Sequence, residues 1–181
     1  MWDSRTAWRV GRESAPKQRS GRPHLTAHAS LAGRFDAFSA GSQPKGTVNP
    51  FALKTLDGFG YPTDGFRSKS WDAFTGPDAP VMDFIFTVCD SAAGEACPVW
   101  PGHPASAHWG IEDPAAVQGT DIERERAFVQ AFKFLRNRIS AFLALPVASL
   151  DQAALTHRLR EIGRLEGTTS GSPAPFDRRP A

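Results

Sequence analysis

Residues 82–90 read MDFIFTVCD, an apolar run that ends in a cysteine. Only Asp83 and Thr87 are polar between Met82 and Val88. A strand that is apolar almost throughout is typical of a parallel sheet that is covered on both faces. We therefore predict a buried parallel strand over residues 82–88, with Cys89 directly after its carboxyl end. Strands that alternate with helices along the chain then indicate an α/β fold with a parallel sheet.

Three shorter elements are predicted before this strand: a strand over residues 35–40, a helix that opens at Asn49 and Pro50 and ends near Gly58, and a helical turn over residues 70–74. The alternation of apolar and polar side chains predicts the strand. Asparagine is a favoured N-cap residue and proline a favoured first helical residue, which places the start of the helix. Glycine often follows the last helical turn, which places its end.

Three further elements are predicted after it: a short final strand over residues 107–111, a long helix over residues 121–145, and a last helix that opens within residues 149–152 and ends at Gly163. Ser149 and Gln152 have the spacing of a capping box. The long helix carries one apolar stripe, which we expect to face the core. The stripe consists of Phe128, Phe132, Leu135, Ile139 and Phe142.

The composition is that of one globular domain. The 181 residues are 40% hydrophobic and 22% charged, with a formal net charge of +2. So small a charge does not favour a nucleic acid or an anionic membrane as partner. No apolar run reaches the roughly 18 to 20 residues needed to span a bilayer. Two cysteines and no signal-peptide pattern lead us to expect a cytoplasmic protein, and we expect it to be a monomer.

The two ends of the chain differ from its middle. Residues 1–33 carry six basic and two acidic residues and show no helical or strand period, so we predict a disordered basic segment. A mitochondrial transit peptide has a similar composition and remains an alternative. We assign residues 34–146 to the folded domain, residues 147–165 to a C-terminal helix and residues 166–181 to a flexible tail.

Cys89 and Cys97 are the only cysteines, and small residues lie between them at positions 91–94. In a reducing compartment a close cysteine pair is more often redox-active or metal-binding than structural. The first alternative is that both are small buried hydrophobic residues. The second is a zinc site with His103 and His108, although the usual short spacings between zinc ligands are missing.

Several blocks of the chain, in one order, resemble the thioredoxin-coupled arsenate reductases, which are relatives of the low-molecular-weight tyrosine phosphatases. The blocks are residues 39–50, 68–71, 83–90, 97–102 and 108–115. The resemblance covers about residues 34–146. It implies a three-layer α/β domain with a parallel sheet, arsenate as substrate, thioredoxin as electron donor and no bound cofactor.

The resemblance also implies roles for three residues. Cys89 would attack the adduct of arsenic with a first cysteine, and Cys97 would attack the disulfide that results. Thioredoxin would then reduce the oxidised pair. Asp113, in an Asp-Pro pair, would be the general acid that protonates the leaving oxygen of arsenate. The alternative for Asp113 is a turn or N-cap aspartate, which is common before proline.

One part of the family pattern is missing from the sequence. Arsenate reductases begin with a strand that leads into a Cys-x5-Arg loop, whose backbone N–H groups bind the oxyanion. No cysteine precedes Cys89 here, and no apolar strand lies in residues 1–33. We therefore expect the first, central strand to be absent and the protein to be inactive as an arsenate reductase. A frame-shifted, misassigned or recombined start, or a true loss of the catalytic half, would each give this sequence.

Three classes of function stay open. The first is an arsenate reductase or its inactive descendant. The second is a tyrosine phosphatase of the same fold, although tyrosines usually follow Asp-Pro there and Ala115 and Ala116 follow it here. The third is a non-catalytic binding or regulatory protein, which the missing nucleophile favours.

Overall fold

The computed structural model describes residues 30–31, 35–41, 44–74, 76, 79–88 and 104–169. Cys89, Cys97 and His103 lie outside the described residues, as do most of residues 1–33 and the tail beyond residue 169. The strands are β1 (Ser30–Leu31), β2 (Phe35–Asp36), β3 (Phe84–Thr87) and β4 (Ala105–His108), and the helices are α1 (Pro50–Gly58), α2 (Asp121–Leu143) and α3 (Gln152–Gly163). Single 3-10 turns lie at Trp71–Phe74, Pro114–Ala116 and Val147–Ser149.

Strands β3 and β4 form a parallel pair whose register runs from Phe84 opposite Ala105 to Thr87 opposite His108. The mixed helix and parallel-strand architecture confirms the predicted α/β class. Within the described residues, β4 is the one strand that pairs with β3. The buried parallel strand predicted over residues 82–88 is therefore present, two residues shorter at its start and one at its end.

The final strand begins earlier than predicted. It covers residues 105–108 rather than 107–111. Backbone pairing nevertheless continues beyond it, because the N–H of Trp109 bonds to the carbonyl of Thr87 and that of Ile111 to the carbonyl of Val88. Trp109 and Ile111 are thus hydrogen-bonded to the end of β3 and to Val88, but they lie outside the regular strand β4.

The predicted strand over residues 35–40 is mostly irregular. Only Phe35 and Asp36 form β2, and they pair antiparallel with Leu31 and Ser30 of β1. At the other end of this segment, Gly41 forms an isolated parallel bridge with Ser70.

Helix α1 forms where its end signals place it. The side chain of Asn49 accepts a hydrogen bond of 2.9 Å from the N–H of Phe51, and Pro50 is the first helical residue. The N-cap and proline signals are confirmed. Gly60 follows the helix with a φ of 77°, a conformation that glycine adopts without steric cost.

Helix α2 begins with a capping box that sequence inspection missed. Thr120 is the N-cap and accepts from the N–H of Glu123, while the Glu123 carboxylate accepts from the N–H of Thr120 at 2.7 Å. The apolar stripe is confirmed in part. Phe128, Leu135 and Phe142 are buried, whereas Phe132 and Ile139 are half-buried.

The start of helix α3 corrects the prediction that Ser149 opens it. Ser149 belongs to the preceding 3-10 turn, and Asp151 is the N-cap, whose side chain accepts a hydrogen bond of 2.7 Å from the N–H of Ala154. Aspartate one residue before the helix satisfies the first backbone donors directly, so no capping box is needed.

The two faces of the β3–β4 pair bury two clusters of side chains. Phe84, Phe86 and Val88 point to the face covered by α2 and α3, and Ile85 points to the other face with Phe38, Phe74 and Met82. The rings of Phe86 and Trp109 stack with centroids 3.8 Å apart. Burying one such aromatic side chain contributes about 2 to 3 kcal/mol, so this layer anchors the end of the sheet near Cys89.

Candidate functional site

The site is built from the carboxyl end of the β3–β4 pair and the loop that follows β4. We call residues 109–117 the acid loop. Trp109 and Ile111 of this loop are buried and bonded to the end of β3. Because β3 ends at Thr87 and Val88 follows it, the same edge of the sheet leads directly to Cys89.

Asp113 caps the short turn in the acid loop. Its Oδ1 accepts a hydrogen bond of 2.9 Å from the N–H of Ala115, and its carbonyl accepts from Ala116. The side chain is half-buried, and Pro114 behind it is buried. The second oxygen, Oδ2, has no hydrogen-bond partner within the part of the chain that the structure describes. The geometry of an N-cap aspartate is therefore present, and one carboxylate oxygen remains for another proton donor or acceptor.

A cavity of about 420 Å³ opens beside Asp113. Three segments form its walls: the acid loop, helix α2 and the turn after α3. The lining residues are Ile111, Glu112, Asp113, Pro114, Val117, Ala127, Gln130, Ala131, Phe134, Gly167, Thr168 and Thr169. Asp113 thus borders a concavity of a size that a small oxyanion or a peptide side chain could enter.

Arg138 lies on helix α2 and is fully buried. Its Nη1 donates to the carbonyls of Trp109 at 2.7 Å and Gly110 at 3.2 Å. Its Nη2 donates to the hydroxyl of Thr168 at 2.9 Å and the carbonyl of Leu165 at 3.3 Å. The guanidinium therefore touches both the acid loop and the turn after α3.

The side chains of Thr87 and His108, the last residues of β3 and β4, contact each other. Nδ1 of His108 lies 2.8 Å from Oγ1 of Thr87, directly across the parallel pair. This contact uses one ring nitrogen of the histidine proposed as a zinc ligand. Within the described ranges, no group of three or more His, Cys, Asp and Glu side chains could hold a metal ion. The other three candidate ligands, Cys89, Cys97 and His103, lie outside those ranges.

The predicted site residues are thus only partly located. Asp113 is at the cavity, and the strand that precedes Cys89 ends at the same edge of the sheet. Sequence inspection missed Arg138 and Thr168. A signal for Arg138 was available, because it stands three residues after Leu135 and four before Phe142, on the buried face of α2.

Comparison with known proteins agrees with this architecture. Residues 23–154 match the family model of the low molecular weight phosphotyrosine protein phosphatases. The match covers most of the chain, including all of β3, β4, α1 and α2. This chain belongs to that family.

Within the family, the chain is similar to curated arsenate reductases. It is 34% identical to the arsenate reductase of Oceanobacillus iheyensis and 32% identical to that of Bacillus subtilis, each over 112 residues. Each alignment covers 62% of this chain and 77% of the relative. The resemblance that the sequence blocks suggested is therefore confirmed at the level of the family.

Across the residues that the structure describes, no helix is both long enough and apolar enough to cross a membrane.

Proposed function

We propose that this chain carries the relay and acid segments of an arsenate reductase, and that its 181 residues alone do not turn over arsenate. The observation that carries the proposal is the placement of Asp113. In a chain similar to arsenate reductases, β4 leads into a capped Asp-Pro turn beside a cavity, at the edge where β3 reaches Cys89.

The chemistry is a two-electron reduction of arsenic by two thiols. A first thiolate displaces an oxygen of arsenate and forms a sulfur–arsenic bond. Cys89 then attacks that sulfur, so the sulfur–arsenic bond breaks, its electron pair stays on arsenic, and arsenite leaves. Cys97 attacks the new disulfide at Cys89 and releases the first thiol. The Cys89–Cys97 disulfide is finally reduced by thioredoxin.

Asp113 would act in the first of these steps. An oxygen leaves arsenate more easily when it is protonated, and a carboxylic acid beside the bound oxyanion can supply that proton. Asp113 is half-buried, at a cavity, and its Oδ2 is not used by the turn it caps. These three features support the assignment.

The first thiolate is what this sequence lacks. Cys89 and Cys97 are its only cysteines, and both have later roles in the relay. A thiolate that attacks an oxyanion needs a loop of backbone N–H groups to bind that oxyanion. The strand β3 instead leads into Cys89 without a Cys-x5-Arg sequence.

The test is turnover of arsenate by the purified chain with thioredoxin, thioredoxin reductase and NADPH, followed as NADPH oxidation. A parallel assay with para-nitrophenyl phosphate tests the phosphatase alternative. We expect neither activity above that of a variant with both cysteines changed to serine. Robust arsenate turnover by the purified chain would show that one of its own two cysteines acts as the first nucleophile and would overturn the proposal.

A further inference from the structure

The hydrogen bonds of Arg138 divide between two segments of the chain. Nη1 bonds to the carbonyls of Trp109 and Gly110 in the acid loop, and Nη2 bonds to Leu165 and Thr168. We call residues 164–169 the C-terminal turn. The planar guanidinium holds its two terminal nitrogens in a fixed fork, so it fixes the distance between the two segments.

The side chain of Arg138 is buried among uncharged hydrogen-bond acceptors. All its hydrogen-bond partners in the described residues are uncharged oxygens, and its Nε is buried with no partner among those residues. Burial accordingly lowers the pKa of the Arg138 guanidinium. An apolar side chain here would leave the carbonyls of Trp109, Gly110 and Leu165 without this donor, at a cost in free energy. A fork of donors that reaches both segments therefore accounts for an arginine at this position.

The C-terminal turn makes further contacts with the acid loop and with helix α2. The N–H of Thr169 bonds to the carbonyl of Gly110, and the backbone of Gly167 lies against the ring of Phe134 on α2. Thr168 also donates its hydroxyl to the carbonyl of Gly163 at the end of α3. The turn is thereby fixed to α3 on one side and to Arg138 on the other.

This turn lies beyond the part of the chain that matches the family model, which ends at residue 154. Its contacts with the acid loop therefore join the matched part of the chain to a segment outside the match. Gly167, Thr168 and Thr169 also form one wall of the cavity that Asp113 borders.

We infer that Arg138 is a positioning residue, which couples the acid loop to the C-terminal turn and so holds Asp113 at the wall of the cavity. The catalytic consequence of holding Asp113 at the cavity rests on the proposed function of Asp113 as the general acid. The coupling itself is a property of the fold.

The experiment is amide hydrogen exchange on the full chain and on Thr168→Val. This variant removes the hydroxyl that Nη2 contacts, together with the bond of that hydroxyl to the Gly163 carbonyl. It leaves the bonds from Nη1 to its two carbonyls and from Nη2 to Leu165 in place. The reporters are the N–H groups of Ile111 and Ala115, which bond to Val88 and to the Asp113 side chain. We expect both to exchange about tenfold faster, the effect of losing one hydrogen bond that restrains the loop.

Two matched variants complete the experiment. Thr168→Ser keeps the hydroxyl and should restore the exchange rates of the acid loop. Thr156→Val removes a hydroxyl that bonds to Gln152 within α3, and it should leave the loop unchanged. Arg138→Lys, which replaces the fork with a single nitrogen, should accelerate exchange in the loop at least as much as Thr168→Val.

If amide hydrogen exchange in Thr168→Val were accelerated equally at all positions, the contact would stabilise the whole fold and not the acid loop in particular. That result would overturn the inference. Unchanged exchange at Ile111 and Ala115 in both Thr168→Val and Arg138→Lys would also overturn it. None of these measurements uses arsenate, thioredoxin or the cysteines. A failure of the proposed function in the turnover assay would therefore leave them unaffected.

Discussion

The indole Nε1 of Trp109 donates a hydrogen bond of 3.1 Å to the backbone carbonyl of Leu159. This bond joins the first residue of the acid loop to the middle of α3. Trp109 is fully buried, and its ring stacks on Phe86 of β3. One side chain thus connects the sheet, the loop and the last helix.

Trp109→Phe should therefore lower the free energy of unfolding. The substitution leaves the carbonyl of Leu159 without its indole donor and leaves unfilled volume beside Phe86, which together cost about 2 to 4 kcal/mol. Urea denaturation measures the change. Tyr61→Phe is the control, because Tyr61 is 46% exposed and its change should stay within about 0.5 kcal/mol. Equal effects of the two variants would contradict the connecting role of Trp109.

Gly163, the last residue of α3, lies against the backbone of His108 in β4 and the ring of Trp109. A methyl group added there would lie 2.4 Å from the carbonyl oxygen of His108 and 3.0 Å from Cδ1 of Trp109. Gly163→Ala should therefore separate α3 from β4 and destabilise the protein by about 1 to 3 kcal/mol. Thermal denaturation gives the measurement.

Gly58→Ala provides the matched control for that substitution. Gly58 ends α1, and a methyl group there would meet nothing within 4 Å. Replacing a glycine at such a site restricts the unfolded chain and should be neutral or stabilising by up to about 1 kcal/mol. If Gly163→Ala were equally harmless, the packing of α3 against β4 would be looser than the structure shows.

The capping box of α2 predicts a pH dependence. Hydrogen bonds from the N–H and then the hydroxyl of Thr120 lower the pKa of the Glu123 carboxyl. A carboxylate with a lowered folded-state pKa stabilises the protein above its unfolded pKa of about 4.3. This contribution is lost as the pH falls through the folded-state pKa.

Glu123→Gln should remove that dependence. At pH 7 the wild-type protein should melt at a higher temperature than the variant, because a charged acceptor forms the stronger hydrogen bond at a helix N-terminus. The difference in melting temperature should shrink steadily below about pH 4.3. A difference that stays constant from pH 7 to pH 3 would show that the capping carboxylate is not the titrating group.

Local signals in the sequence predicted the elements whose stability is local. Asn49 and Pro50 set the start of α1, and the apolar run before Cys89 set β3, because caps and strand burial depend on neighbours in sequence. The predicted strand at residues 35–40 was mostly wrong. A strand exists only where a partner supplies hydrogen bonds, and its alternating pattern carries no information about that partner.

The candidate site was harder to predict than the fold. Asp113 stood out because Asp-Pro is a recognisable pair in a recognisable family block. Arg138 and Thr168 are 30 residues apart in the sequence. Their contact depends on the packing of α3 on β4. No local pattern reports such a contact, although an arginine on the buried face of an amphipathic helix indicates that it has polar partners elsewhere.

Mild oxidation with diamide should join Cys89 and Cys97 in a disulfide within one molecule, and thioredoxin should reduce it. Small residues at positions 91–94 would let the backbone bring the two Cα atoms within the roughly 7 Å that a disulfide requires. Peptide mapping of the monomer should find the cross-linked pair. Cys97→Ser is the control and should give only mixed or intermolecular disulfides at Cys89.

A reaction with maleimide separates this prediction from the alternative that both cysteines are packing residues. Relay thiols must be accessible as thiolates in the folded protein, since the thiolate is the attacking species. The native protein should therefore incorporate maleimide at one or both cysteines within minutes at neutral pH. If both thiols react only after denaturant is added, they are buried, and the redox role proposed for this chain is excluded even though its family membership stands.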